Sequence, residues 1–301
     1  MRIIYMGTPE FARPSLDLLL HHGYDIVGVL TAPDKPGGRL GTIQSAVKQY
    51  AVAHGLRVMQ PEKLKNPAFL AELHALRADL QVVVAFRMLP EAVWQMPPLG
   101  TLNLHGSLLP KYRGAAPINW AIMNGETETG VTTFLLRHAI DTGDILFQET
   151  LPIGENDTAG EVHDRMMVLG AELVLRTVQA LEQGAVQPRP QPDVAASHAP
   201  KLFTETCRID FARPTAAVHN FIRGLSPYPG AWTLLDGKTF KILRALPGVA
   251  PAGIAPGEFF SDGKNELKIS TLDGFVQIQE LQMEGKRRMT VREFLNGYRL
   301  G

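Results

Sequence analysis

Short, almost unbroken apolar runs alternate with helically spaced segments along the first half of the chain. RIIYMG, DIVGVLT, LRVMQP, LQVVVAF and GTLNLHG are rich in Val, Ile and Leu, as strands buried on both faces are. Between them lie stretches such as PSLDLLLHHG, whose apolar positions repeat at helical spacing, with Pro14 near the start and Gly23 at the end. Strand and helix in alternation predict βαβ units and an α/β fold built on a doubly wound, mostly parallel sheet. Ligands of such sheets bind beyond the carboxyl ends of the strands. Those ends read MGTPEF, LTAPDKPGGR, VAFRMLP and NLHGSLLP.

Two further apolar runs, ETGVTTFLL and DILFQETLPI, precede a long helical pattern from about Thr158 to Gly184, with Asp157 or Thr158 as a natural N-cap. The next stretch, AVQPRPQPDVAASHAP, is too rich in proline for a regular element and reads as an extended linker. Beyond it the period changes to short strands punctuated by Asp-Gly pairs at 236–237, 262–263 and 273–274, which are hairpin signals. The pattern therefore predicts three parts: a parallel-sheet domain over 1–184, a linker over 185–204, and a small β-barrel domain over 205–301 with helices near 214–224 and 290–297.

At 301 residues, 45% hydrophobic and 20% charged, the chain can build two cores and shows none of the signs of disorder. A lone cysteine, Cys207, excludes an internal disulfide framework and fits a reducing compartment. MRIIYMGTPEF reads as a first strand rather than a leader, and no run approaches the ~20 apolar residues that span a bilayer, so a cytoplasmic protein is expected. Net charge is zero, which argues against a strongly basic nucleic-acid binder. The balance is uneven, with 17 Lys and Arg against 20 Asp and Glu over 1–204, and 13 against 10 over 205–301.

Asn103 and His105 sit two residues apart at a strand end, where alternation puts them on one side. Taken alone, such a pair is more often two satisfied polar groups than a catalytic site. Asp141 and Asp144 flank Gly143 as turn residues commonly do, and KYRG ordinarily makes a solvated loop. GTPEF lacks both G-x-G-x-x-G and the G-K-[ST] ending, which excludes a dinucleotide or nucleoside triphosphate cradle of those kinds. There is no G-x-S-x-G elbow and no zinc-ligand spacing. Together the weak signals say more. An imidazole beside an amide can donate to a developing oxyanion, and a carboxylate from a later strand can orient that imidazole or a water. This is equipment for acyl transfer without a covalent intermediate.

NLHGSLLPKYRGAAPI, followed by ETGVT and IDTGDIL, resembles the signature of the 10-formyltetrahydrofolate-dependent formyltransferases. The likeness extends over nearly the whole chain, through GTPEFA, TAPDKPGGR, VVVAF, RIDF and PYPGAW. It implies a formyltransferase-type Rossmann-like domain followed by an oligonucleotide-binding-type (OB-like) barrel. The implied reaction moves a formyl group from 10-formyltetrahydrofolate, a co-substrate, to the α-amino group of methionyl-initiator tRNA. The resemblance makes Asn103, His105 and Asp141 the catalytic trio and leaves Asp144 a turn residue. It places the folate against Phe86, Arg87, Met88, Leu89 and Pro90, against Ser107, Leu108, Leu109 and Pro110, and along 136–141. Phe86-Arg87-Met88 is one residue shorter than the loop of many relatives, and Arg87 faces either the folate's glutamate tail or solvent.

For the tRNA, the resemblance implies contacts from Lys35 and Arg39 in the PDKPGGR loop, from Lys111 and Arg113 near the catalytic strand, and from Lys286, Arg287 and Arg288. Lys238, Lys241 and Arg244 add basic charge on one hairpin arm. Such surfaces bind phosphates without reading bases. No metal or nucleotide cofactor, no membrane and a monomeric chain complete the expectation. The same trio would also serve a sugar-nucleotide N-formyltransferase, a ribonucleotide transformylase or a formyltetrahydrofolate hydrolase. A non-catalytic folate- or RNA-binding module would have no need of it.

Overall fold

The computed structural model describes residues 1–37, 41–249 and 254–298, and in it every apolar run of the first half becomes a strand. β1 (Arg2–Gly7), β2 (Asp25–Leu30), β3 (Val58–Met59), β4 (Leu80–Val84) and β5 (Thr101–His105) pair in parallel. β6 (Glu128–Leu135) runs antiparallel to β5, and β7 (Ile145–Pro152) lies beside it. The order is β7-β6-β5-β4-β1-β2-β3. Burial on both faces explains the unbroken apolar runs: Ile3, Ile4, Tyr5 and Met6 of β1 and all five residues of β4 are buried. Strand order reverses between β1 and β4, the topological switch point where doubly wound sheets bind their ligands.

The helices start and stop where local chemistry allows. α1 (Arg13–His21) carries Pro14 in its first turn, where a missing N–H costs nothing, and stops short of Gly23 at a φ of 78°. α2 (Ala46–Ala53) and α3 (Pro67–Ala75) are capped by Ser45 and Asn66, which accept the N–H of Lys48 at 3.0 Å and of Ala68 at 2.9 Å. After α4 (Pro117–Met123) comes the long α5 (Ala159–Glu182). Thr158 opens α5 with a capping box: its N–H donates to Glu161 at 2.8 Å, and the Glu161 N–H reaches back to its hydroxyl.

The chain divides into two compact units, Met1–Arg113 with Gly130–Leu151 and Asp164–His198, and Gly114–Thr129 with Pro152–His163 and Ala199–Gly301. The second holds α6 (Thr215–Gly224), the strands β8 (Ala231–Leu235), β9 (Lys238–Gly248), β10 (Phe259–Ser261), β11 (Leu267–Ser270), β12 (Phe275–Met283) and β13 (Met289–Thr290), and then α7 (Val291–Gly297). The strands form a curled antiparallel half-barrel in the order β8-β9-β12-β11-β10, with β13 on β12. All three Asp-Gly pairs join neighbouring strands, and Asp236 and Gly237 both take the positive φ of a primed hairpin turn. Val218, Ile222 and Leu225 close the core with Phe240, Ile242, Ile278 and Leu281. No helix among the described residues is long and apolar enough to cross a membrane.

His219 of α6 is buried in this second unit. Burial first, and then the Arg223 charge, push its pKa down from 6.5 to about 4, against a hydrogen bond with the Ala245 backbone that raises it. Between those values the unfolded chain binds a proton that the folded chain refuses, so stability rises with pH through this window and is complete above it. Denaturant titrations at intervals from about pH 4.5 to 7.5 should show wild type losing stability below pH 6.5, and His219→Gln losing measurably less.

Candidate active site

β5 presents Leu102 and Leu104 to one face of the sheet and Asn103 and His105 to the other, as a period of two requires. The leucines are buried, Leu104 lying close enough to Gly170 of α5 that a β-carbon there would touch it. In register, Asn103 stands between Val83 of β4 and Phe134 of β6, and His105 opposite Thr132. His105 is only 6% exposed. Its Nε2 donates to the Tyr112 carbonyl at 2.8 Å, and its Nδ1 lies 3.7 Å from Asp141 Oδ2. That second separation is within ion-pair reach but beyond a direct hydrogen bond. Asp144, by contrast, pairs with Arg137.

The loop that brings Asp141 to His105 is tightly specified. Asp141 itself takes a φ of 54°, a left-handed conformation that Asp tolerates better than most residues. Two residues on, a β-carbon at Gly143 would overlap the Leu135 carbonyl, so only glycine lets the chain pass. The Gln191 amide donates to the carbonyls of Asp141 at 2.9 Å and Gly143 at 2.8 Å. Ala85, directly after β4, and Tyr112 share the left-handed conformation with Asp141.

The HGSLLP turn is held from below by β6 and β7. Thr132 donates its hydroxyl to the Ser107 carbonyl at 2.7 Å and accepts the Leu109 N–H at 3.1 Å. The Gln148 amide donates to the Leu109 carbonyl at 2.9 Å and to the same threonine at 3.0 Å. The Ser107 hydroxyl donates to the Lys111 carbonyl, and Leu109 packs on Phe134 and Ile145. These two side chains, expected against the folate, therefore point inward.

Past β4, Phe86 and Leu89 pack on the core around Ile4, Met6 and Val93. Arg87 is engaged as well: its guanidinium donates to the carbonyls of Pro61 and Glu62, lies 5.5 Å over the Phe86 ring, and has its pKa lowered by burial. It braces the segment from within, which corrects the expectation of a solvated side chain. Met88 faces out, 73% exposed. The backbone groups of residues 86–89 have no hydrogen-bond partner among the described residues.

The expected nucleic-acid contacts divide. Arg39 lies outside the described residues. Lys35 is exposed in a small ribbon pairing Lys35–Pro36 with Thr42–Ile43. The ribbon's root is anchored at Asp34, whose carboxylate accepts from Lys48 at 2.5 Å and Gln60 at 2.7 Å, bonds that lower its pKa. Lys111 is exposed. Arg113, expected on the tRNA surface, is instead buried: Nε and Nη2 donate to Gln191 Oε1 and Nη1 to Asp193, which spends the fork on the protein itself. Lys286, Arg287 and Arg288 are exposed, with Arg287 paired to Glu293 and Arg288 to Glu280. Lys241 donates to the Pro229 carbonyl and Arg244 to Glu161.

Sequence reasoning assigned no role to Thr132, Gln148, Gln191 or the Tyr112 carbonyl. Thr132 lies inside the ETGVT run that was singled out. A glutamine between prolines carries no spacing signal. Among the described residues no group of three or more His, Cys, Asp or Glu side chains is placed to hold a metal ion.

Comparison with known proteins agrees over the whole chain. The formyl transferase family model matches residues 1–178, and the formyl transferase C-terminal domain model residues 201–299. Methionyl-tRNA formyltransferase of Parabacteroides distasonis is 54% identical over 99% of this chain and 96% of its own length. The enzyme of the same name from Flavobacterium johnsoniae is 51% identical, with the same coverage. Among solved structures, an N-formyltransferase from Helicobacter canadensis in complex with folinic acid and dTDP-3-aminofucose has a TM-score of 0.72 at 22% identity, covering 95% of this chain and 99% of that one.

Thr132→Val keeps shape but leaves the Ser107 carbonyl and Leu109 N–H without their partner. Unsatisfied buried groups cost about 1–3 kcal/mol, so denaturant unfolding should show a loss in that range, and a loss below about 0.5 kcal/mol would mean the turn is held by other contacts.

Proposed function

The chain belongs to the formyl transferase family through both its N-terminal and C-terminal parts, and we propose that it formylates the α-amino group of methionyl-initiator tRNA, using 10-formyltetrahydrofolate as donor. The observation that carries the chemistry is the His105–Asp141 pair at the carboxyl end of β5, with Asn103 on the same face. The choice of acceptor is supported by relatives of that name at about half identity over the full length. The sugar-acting neighbour shares the fold alone. Acting on charged tRNA, the enzyme works in the cytoplasm.

The residues at the strand ends suit a folate donor. Backbone groups of 86–89 without partners offer hydrogen bonds to a pterin edge, and Met88, Leu108 and Pro110 offer apolar cover. The acceptor is an α-amine with a pKa near ~8, so a useful fraction is unprotonated at neutral pH. Its lone pair attacks the formyl carbon while the carbonyl electrons move onto oxygen. Because Nε2–H of His105 is committed to the Tyr112 carbonyl, the nitrogen left for the reaction is Nδ1. As imidazolium it donates to the oxyanion, with the Asn103 amide as a second donor and the Asp141 carboxylate balancing the charge. Collapse breaks the bond to N10, which takes up the proton released by the attacking amine.

The test is formyl transfer to Met-charged initiator tRNA, charged elongator tRNA, a dTDP-amino sugar and water. Initiator tRNA should be preferred; preference for the amino sugar would overturn the acceptor. His105→Ala and Asp141→Ala should each lower turnover by about 100-fold or more, with folding kept. Turnover near wild type in both would remove the mechanism.

A further inference from the structure

Residues 179–200 are matched by neither family model, and the sequence makes 185–204 a proline-rich linker. Yet part of this segment makes a series of specific contacts within the first unit. Arg189 and Ile145 exchange backbone hydrogen bonds at 2.8 and 2.9 Å. Gln191 sends both amide hydrogens to the Asp141 loop and takes the Arg113 guanidinium on its oxygen at 2.9 and 3.1 Å. The Ser197 hydroxyl accepts the Tyr112 N–H at 2.8 Å, and the Ser197 carbonyl accepts that of Arg113 at 2.9 Å. Tyr112 is the residue whose carbonyl orients His105.

From these contacts we infer that the stretch from Arg189 to Ser197 is a positioning strap that sets the distance between Asp141 and His105. One end holds the Asp141 loop through Gln191, the other holds the His105 anchor through Ser197, and Arg113 ties Gln191 to the chain beside Tyr112. The inference rests on the reading of Asp141 and His105 as the working pair. Its physical basis is that two left-handed residues, Asp141 and Tyr112, carry the groups to be aligned. A backbone held in such conformations keeps them only where neighbouring bonds over-determine it. Gln191 and Ser197 supply those bonds without reaching the reacting atoms themselves.

The discriminating variants are Gln191→Met, which keeps length and loses every hydrogen bond, and Gln191→Glu, which keeps the Arg113 partner but sets a carboxylate oxygen against two carbonyls. A misplacement of about 1 Å can cost on the order of 100-fold in rate. Single-turnover formylation should therefore fall about 10- to 100-fold in both, while KM for donor and tRNA stays within about threefold. Gln191→Glu, which keeps a charged partner for Arg113, should lower the thermal midpoint less than Gln191→Met does. In an Asp141→Ala background the same substitutions should cost less than about twofold, because there is no carboxylate left to place. Ser197→Ala should behave alike against His105→Ala. Turnover of Gln191→Met within about twofold of wild type, or an equal fractional loss in the Asp141→Ala background, would overturn the strap. Asp141→Ala alone reports on the underlying reading, so the two failures are told apart.

Discussion

The hydrogen bond from His105 Nε2 to the Tyr112 carbonyl decides what the rest of the site can do. An imidazole has two nitrogens with opposite roles in its neutral form, and committing one to a backbone carbonyl fixes the role of the other. With Nε2 anchored, Nδ1 is the nitrogen left facing Asp141. The anchor is a main-chain atom rather than a side chain, so its place is set by backbone conformation at residue 112. Much of the surrounding structure serves that conformation: the Ser107 hydroxyl on Lys111, the Ser197 hydroxyl on Tyr112, and the left-handed φ of Tyr112 itself.

The sheet supplies the rigidity that such alignment needs. β4 and β5 are flanked on both sides, and their buried runs leave no freedom to slip, since a one-residue shift would carry Asn103 and His105 onto the face now held by Leu102 and Leu104. Thr132 and Gln148 then translate the positions of β6 and β7 into the position of the HGSLLP turn. Close approach of chains is also required. The glycines of ETGVT and IDTGDIL lie against the Glu149 and Leu135 carbonyls, where any side chain would collide. These demands are steric, and they fall in the same short runs that carry Thr132 and Asp141.

The elements whose physics is local were legible in the sequence. Apolar runs became buried strands, Asp-Gly pairs became hairpins, and Thr158 became a helix cap because each of these depends on neighbours within a few positions. The same held for the strand end carrying Asn103 and His105. Arg113 was misread because a basic residue between a tyrosine and a glycine looks solvated. Its burial depends on Gln191 and Asp193, which lie 78 and 80 positions away, a separation across which periodicity is silent. Arg87 failed for a like reason, its partners being carbonyls of residues 61 and 62 that any sequence would contain. Side-chain donors to backbone oxygens leave no compositional trace on the accepting side.

The cations divide into guanidinium groups committed inside the fold and others paired at the surface. In the first unit two guanidinium groups are spent internally, Arg113 on Gln191 and Asp193 and Arg87 on two carbonyls. In the second unit Arg223 is buried against the Gly154 and Asp157 carbonyls, whereas Arg287 and Arg288 lie at the surface and pair with Glu293 and Glu280. Exposed pairs of this kind are worth at most about 1 kcal/mol, so a phosphate can displace the carboxylate at little cost, whereas a buried guanidinium stripped of its partners leaves unsatisfied groups behind. The chain can thus yield its surface cations to a polyanion while the fork of Arg113 stays where it is.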